Sequence, residues 1–497
     1  MNLIPDISVD TGNYFCTWDS QCDEMHSRFP NDAYLPARDA MNDDFLFGKN
    51  GLFKSFDGVR NDLIALLDDG WDVPYGARDS HLFGLLEVDK ERFPALADLS
   101  PADKLKELAK KVRELGYKGL GLWVPTQVPT VIDGKKVEYT PEEERAFWEK
   151  RAKWCNEAGV VYIKADWGDH QGDAEYCKMM TECFRKYAPD TKIEHGLVGR
   201  PLFEDPIKGY EASEKTKNYL REVLPYCDYL RTYDVVHEIK YASTVDRTAI
   251  CLEAAKEIEG ECAVLNIEDT ALIGAALGCS IGVMRHDFEK IRKYVTLPPR
   301  LVNESVCALR WQRIAPPFAA NIGETHISKE RMKDIWHCPK RADNLWPNVP
   351  EGDYYVSAPA AISRNMPLPV VLADGEKPYV LCSVHPENKA LCVAVTPRTF
   401  GENIDVTPQA DIRVKGEDIT APVGLFGTFK SVTVEYPEML DGKKIYAQNM
   451  LTDSAVNVTS LVNVSDNTLI FPGRIMTELK LPESPEREIP AVVIQIK

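Results

Sequence analysis

Lys164 and Asp166 stand two residues apart at the end of an apolar run, Val160-Val161-Tyr162-Ile163-Lys164-Ala165-Asp166-Trp167. The run follows Gly159, a helix-stopping residue, and its β-branched and aromatic character predicts a buried strand. Side chains alternate across a strand, so Lys164 and Asp166 face the same side. An ammonium beside a carboxylate favours the ionised acid. An ionised, immobilised carboxylate can act as a nucleophile. On this stretch alone a salt-bridged strand terminus is the simpler reading. The weighing changes because other apolar runs also close on polar or aromatic residues, at Trp18, Asp68, Asp69, Trp123, Arg231 and Asp234. Glu194 closes a further short run and is read as a substrate contact or a solvated strand end. Carboxylates accept hydrogen bonds from pairs of hydroxyls, and indole rings cover the apolar face of a sugar. Two of these carboxylates would then supply a nucleophile and a general acid/base for glycosidic bond cleavage.

The elements that must position these residues follow one rhythm. Strands are expected over 13–20, 62–67, 117–124, 160–166, around 192–194, over 228–233, 262–266 and 280–284. Helices are expected between them, among them one after the Ser100-Pro101 cap with Leu105, Leu108, Val112 and Leu115 on one face, and others over 141–158, 171–187, 211–225 and 244–259. Eight strands alternating with helices are the pattern of a (β/α)₈ TIM barrel, whose catalytic groups sit at the carboxyl ends of the strands. A doubly wound sheet is the alternative, but no glycine-rich phosphate turn follows the first strand. After about residue 340 prolines become frequent and short alternating strands replace helices. Tyr379 to Val384 and Ala390 to Thr396 flank Pro386-Glu387-Asn388 as a hairpin. The expected organisation is a barrel over 1–340 and a C-terminal antiparallel β-sandwich over 341–497.

The chain of 497 residues is long enough for two or three substantial cores. Its net charge of −18 argues against nucleic-acid and anionic-membrane partners. The segment Met1 to Asp10 has no basic region followed by an apolar one, so a cytoplasmic location is expected. Thr270 to Met284 is the longest apolar stretch, glycine-interrupted and too short to span a bilayer; it reads as a buried helix and strand. The 13 cysteines are scattered and read as reduced core residues. Cys16 and Cys22, Cys177 and Cys183, and His170, His195 and His286 with Asp169 are the candidate metal ligands; their spacing fits no standard motif, and no metal is expected. Nothing in the sequence sets the oligomeric state.

Three stretches in order, Asp68-Asp69-Gly70-Trp71, Asp89-x-x-x-Phe93-Pro94 and Gly116-Tyr117-Lys118-Gly119-Leu120-Gly121-Leu122-Trp123, resemble the melibiase-like α-galactosidases of glycoside hydrolase families 27 and 36. Tyr162-Ile163-Lys164-Ala165-Asp166 is similar to the strand-four motif of that group, Arg231-Thr232-Tyr233-Asp234 to its strand-six motif, and Asn266-Ile267-Glu268-Asp269 to its strand-seven segment. A barrel followed by a β-sandwich is also the group's layout. The resemblance implies a retaining enzyme releasing terminal α-galactosyl residues, with Asp166 as nucleophile and Asp234 as acid/base. It implies sugar binding by Asp68 and Asp69, contacts from Lys164 and Arg231, a pocket shaped by Trp18 and Trp123, a carbohydrate substrate and no cofactor. The chain departs from the pattern at Ala165, where many members carry an aromatic residue, at Val235, where some members place the acid, and at Ile193-Glu194-His195-Gly196. Those departures leave open an α-N-acetylgalactosaminidase or a β-L-arabinopyranosidase, and because a fold does not fix function a sugar-binding barrel without turnover also stays open.

Overall fold

The computed structural model describes residues 1–28, 35–132, 134–197, 214–232, 239–268, 270–284, 300–338, 351–485 and 488–497. The helix Pro141–Ala158 shows how local chemistry sets the rhythm. Thr140 caps its first turn in a reciprocal box with Glu143, Pro141 opens it, and Gly159 ends it in the left-handed region at φ 69°. Released there, the chain enters the strand Tyr162–Asp166.

Eight parallel strands close a barrel: β1 (Tyr14–Cys16), β2 (Ile64–Leu67), β3 (Leu120–Pro125), β4 (Tyr162–Asp166), β5 (Lys192–Gly196), β6 (Tyr229–Arg231), β7 (Val264–Glu268) and β8 (Ser280–Val283). Each pairs with its neighbours in chain order, and β8 closes on β1 through Tyr14 opposite Gly282. The helices α1 (Trp18–Arg28), α2 (Pro101–Glu114), α3 (Pro141–Ala158), α4 (Ala174–Tyr187), α5 (Glu214–Val223), α6 (Lys240–Ala255), α7 (Ala271–Leu277) and α8 (Arg300–Gln312) follow the successive strands. This is the expected (β/α)₈ barrel. The apolar stretch 270–284 is a buried helix and strand, α7 and β8. The first strand is shorter than expected. Gln21 N donates to Thr17 O, which starts α1, so Trp18 opens a helix instead of ending a strand.

The C-terminal part packs an eight-stranded sheet against a five-stranded one. Val380, Val393, Leu425 and Ile494 of the first face Ile412, Val432, Leu469 and Phe471 of the second, which makes the sandwich core. The hairpin around Pro386 is present, Tyr379–Val384 pairing antiparallel with Leu391–Thr396. Most pairs are antiparallel, but Asp411–Lys415 runs parallel to Ser431–Glu435 and Leu391–Thr396 parallel to Val423–Phe426. Strands of these sheets begin at Thr325, which pairs with Arg364. Arg364 in turn donates to Leu277 O at the end of α7 and to Ala319 O, tying sandwich to barrel. Among the described residues no helix is long and apolar enough to cross a membrane, and the cysteines form no disulfide.

Candidate active site at the carboxyl end of the barrel

Alternation along β4 divides its side chains. Ile163 and Ala165 join the apolar layer beneath the helices. Tyr162 lies with Tyr14, Cys16, Ile64, Leu66 and Trp123 inside the barrel, and Lys164 and Asp166 share its side. The register places Trp123 beside Lys164, Lys164 beside Glu194, and Arg231 beside Asn266. A set of charges therefore converges on the interior from four strands and the turn after β2.

Asp166 is the member of that set reached from outside. Its side chain is 12% exposed, against 5% for Asp68, 2% for Lys164, 1% for Arg231 and Glu268 and 0% for Glu194. Its Oδ1 accepts from Arg231 Nη2 at 2.9 Å, and its Oδ2 from the Trp123 indole at 2.8 Å. Burial alone would raise its pKa; Arg231, Lys164 and the indole outweigh burial and hold the carboxyl below the usual aspartate range. Lys164 Nζ lies 3.1 Å from Asp68 Oδ2 and 3.0 Å from Glu268 Oε1. Burial works against its charge, but Asp68, Cys16 and Glu268 keep it protonated. Arg231 touches three carboxylates: Asp166, Glu194 at 3.4 Å and Glu268 at 3.4 Å.

Glu194 sits deeper. Its Oε2 accepts from Tyr162 OH at 2.9 Å and from Asn266 Nδ2 at 2.7 Å. Burial pushes its carboxyl up to about 7, with Glu268 adding to the rise and Arg231 opposing it.

Asp68 and Asp69 part company. Asp68 accepts from Cys16 Sγ at 3.0 Å and from Lys164 inside the barrel. Asp69 turns to the other side of β2, where Arg38 Nε donates to it at 2.8 Å. Burial pushes Asp69 up to about 7 against the pull of Arg38. Arg38 lies over the Phe83 ring at 4.3 Å, Phe83 meets Trp167 at 5.5 Å, and Trp167 meets Trp123 at 5.6 Å. Trp123 is further fixed from behind, its carbonyl accepting from Trp71 Nε1 at 2.9 Å. Trp18 is half-buried and packs on the interior aromatic cluster. The structure thus brings together Asp68, Trp123, Lys164, Asp166, Glu194 and Arg231, with Trp18 beside them and Asp69 facing away. Asp234 lies outside the described residues.

Sequence reasoning left out four participants: Tyr14, Cys16, Tyr162 and Glu268. Tyr162 shares its strand parity with Lys164 and Glu268 with Asn266, which places them on the same side; no recognised residue lies on β1 beside Tyr14 and Cys16. The candidate histidines go elsewhere. His170 stacks on Tyr176 with centroids 3.9 Å apart, and buried His195 meets Thr181 Oγ1 at 2.9 Å on the outer side of β5. His286 lies outside the described residues.

Among proteins of known structure, the chain is similar to a GH27 β-L-arabinopyranosidase from Geobacillus stearothermophilus, with 11% identity, 98% of this chain and 94% of that chain covered, and a TM-score of 0.41. It is similar also to a putative α-galactosidase/melibiase from Bacteroides fragilis NCTC 9343, with 10% identity, 97% and 78% covered and a TM-score of 0.41. An Anoxybacillus α-amylase matches at 11% identity, 98% and 98% covered and a TM-score of 0.42. No family model and no curated protein matches the chain. Fold likeness at these identities assigns no activity. What fold and site define is a (β/α)₈ barrel with a charged, largely buried centre opening at Asp166.

Proposed function

We propose that this protein is a retaining glycoside hydrolase that releases terminal α-galactosyl residues, with Asp166 as nucleophile and Asp234 as general acid/base. The observation that carries the reading is Asp166 itself: a strand-end carboxylate, accessible at the mouth, held ionised by Arg231 and oriented by the Trp123 indole. In the first step Asp166 attacks the anomeric carbon while Asp234 protonates the departing oxygen. In the second, Asp234 takes a proton from water, the water attacks the same carbon and Asp166 leaves. Two inversions give net retention. Asp68, pinned by Lys164 and Cys16, accepts from a sugar hydroxyl. Trp123 and Trp18 wall the ring, and Glu194 steadies Arg231 from beneath. Asp69 acts on this site through Arg38.

The test is a panel of nitrophenyl glycosides covering α-galactose, α-N-acetylgalactosamine, β-L-arabinopyranose, α-glucose and α-xylose, followed by trapping with the matching fluorosugar. Fastest turnover of the α-galactoside and a label on the peptide containing Asp166 are expected. Preference for the acetamido sugar or the arabinoside keeps the reaction and changes the sugar. Sugar binding without turnover of any member, or a label on another carboxylate, refutes the reading.

A further inference from the structure

Among the buried charges, Glu268 touches both cations. Its Oε1 lies 3.0 Å from Lys164 Nζ and accepts from Tyr14 OH at 2.6 Å. Its Oε2 accepts from Arg231 Nη1 at 3.4 Å. Each cation extends to a second carboxylate, Lys164 to Asp68 at 3.1 Å and Arg231 to Asp166 at 2.9 Å. The five side chains form one alternating line of charge, Asp68, Lys164, Glu268, Arg231, Asp166, with Glu268 at its centre. The backbone makes room for it. Gly282 pairs with Glu268 on one side and with Tyr14 on the other. A Cβ at Gly282 would fall 2.6 Å from Glu268 Cγ and 2.8 Å from Tyr14 Cε2. Both neighbours are walled in, so a side chain there would push Glu268 off its two cations.

We infer that Glu268 is a positioning residue: it anchors Lys164 and Arg231 between Asp68 and Asp166 and so fixes the place and charge of the carboxylate that reacts. The inference rests on the reading of Asp166 as nucleophile. In a poorly screened interior, two cations that share one anion repel once it is neutralised. Each then draws closer to its remaining carboxylate. Asp166, bound more tightly by Arg231, is a weaker and misplaced nucleophile. The groups that face Glu268 are Tyr14 and Cys16 from β1, Asp68 after β2, Lys164 from β4, Glu194 from β5 and Arg231 from β6, and neutralising Glu268 is felt by all of them.

The test uses the full chain. Glu268→Gln keeps the shape and an acceptor for Tyr14 but removes the charge. The expected result is a fall in kcat of about 100-fold, the scale of a small misplacement of a reacting group, with KM nearly unchanged and a melting temperature close to the parent's. Side-chain ¹³C-carboxyl titration should show Asp166 and Glu194 both ionising at lower pH than in the parent, a shift that a packing role would not produce. Gly282→Ala displaces Glu268 with its charge intact and should give the same loss of kcat. A folded Glu268→Gln protein with the parent's kcat overturns the inference. If that variant fails to fold, a folded Gly282→Ala protein with the parent's kcat overturns it equally. Should the parent turn over no glycoside, the functional reading fails separately, and the anchor role stands or falls on whether Glu268→Gln moves the two carboxyl titrations.

Discussion

Asp68 and Asp69 are neighbours in the chain that face opposite sides of the barrel wall: Asp68 meets Lys164 at 3.1 Å inside, and Asp69 meets Arg38 at 2.8 Å outside. The alternation of β2 dictates this, since Ile64 and Leu66 belong to the interior cluster and Leu63, Ala65 and Leu67 to the outer layer. The two substitutions should therefore separate. Asp68→Asn removes the acceptor proposed to bind a sugar hydroxyl, and kcat/KM should fall by about 10- to 100-fold, the range of a lost hydrogen bond to a charged group. Asp69→Asn leaves an acceptor for Arg38 and should cost less than about fivefold on the same scale. Steady-state kinetics on one nitrophenyl glycoside decide it; equal losses would show that the pair acts as a unit on the sugar.

Trp123→Phe tests what keeps Asp166 ionised. Arg231, Lys164 and the indole outweigh burial and hold the parent carboxyl below the usual aspartate range, so the acid limb of kcat/KM due to Asp166 should lie below that of an ordinary aspartate. The indole bond favours the charged form. Its loss should move the acid limb upward. Phenylalanine keeps an aromatic face but is smaller than the indole, so KM should rise as well, and the position of the acid limb is the readout specific to the hydrogen bond. An acid limb that stays in place would leave Arg231 and Lys164 as the whole cause of the ionisation.

Strand parity made much of this site legible before any coordinates. Lys164 and Asp166 on one side of β4 follow from alternation alone, and the helix expected over 141–158 is Pro141–Ala158 because cap, proline and terminal glycine all agree. Glu268 was harder to read. A charge after Asn266 looks like the end of a buried strand, yet β7 runs on to Glu268, since Lys164 and Arg231 neutralise it from across the barrel. Pairing across the barrel has no signature in a local stretch of sequence. Tyr14 and Tyr162 carry no sequence signal either: their rings are buried, and only the fold shows that their hydroxyls end on Glu268 and Glu194. Strand direction in the sandwich was equally hidden, because alternation reports which face is buried and says nothing of which way a neighbour runs.

The assignment of Asp234 rests on Arg231-Thr232-Tyr233-Asp234 at the end of β6, where Arg231 already grips Asp166, the proposed nucleophile. An acid matters most when the leaving group is poor. Asp234→Ala should therefore keep far more activity on a nitrophenyl glycoside than on a natural disaccharide. Azide should restore turnover of the glycosyl-enzyme and yield a glycosyl azide of retained configuration. Equal losses on both substrates would remove the role from Asp234, and inverted product from the parent protein would refute the double displacement.

Glu194 carries a prediction about stability. In the folded chain its carboxyl ionises at about 7, against 4.5 for an ordinary glutamate, chiefly through burial. Between those two values the folded protein holds a proton that the unfolded chain has released. Stability then falls as pH rises through this window and levels off above it. Glu194→Gln is neutral at every pH and escapes that loss, although it also alters the bonds to Arg231, Tyr162 and Asn266 by an amount that does not depend on pH. The informative quantity is thus the difference in melting temperature between variant and parent, followed from about pH 4.5 to 8. It should move in the variant's favour up to about pH 7 and then stay flat. A difference that is constant across the range would mean that Glu194 is already ionised at low pH, held by Arg231 as Asp166 is. Among the described residues, Asp166, Glu194 and Glu268 would then all be charged around Arg231.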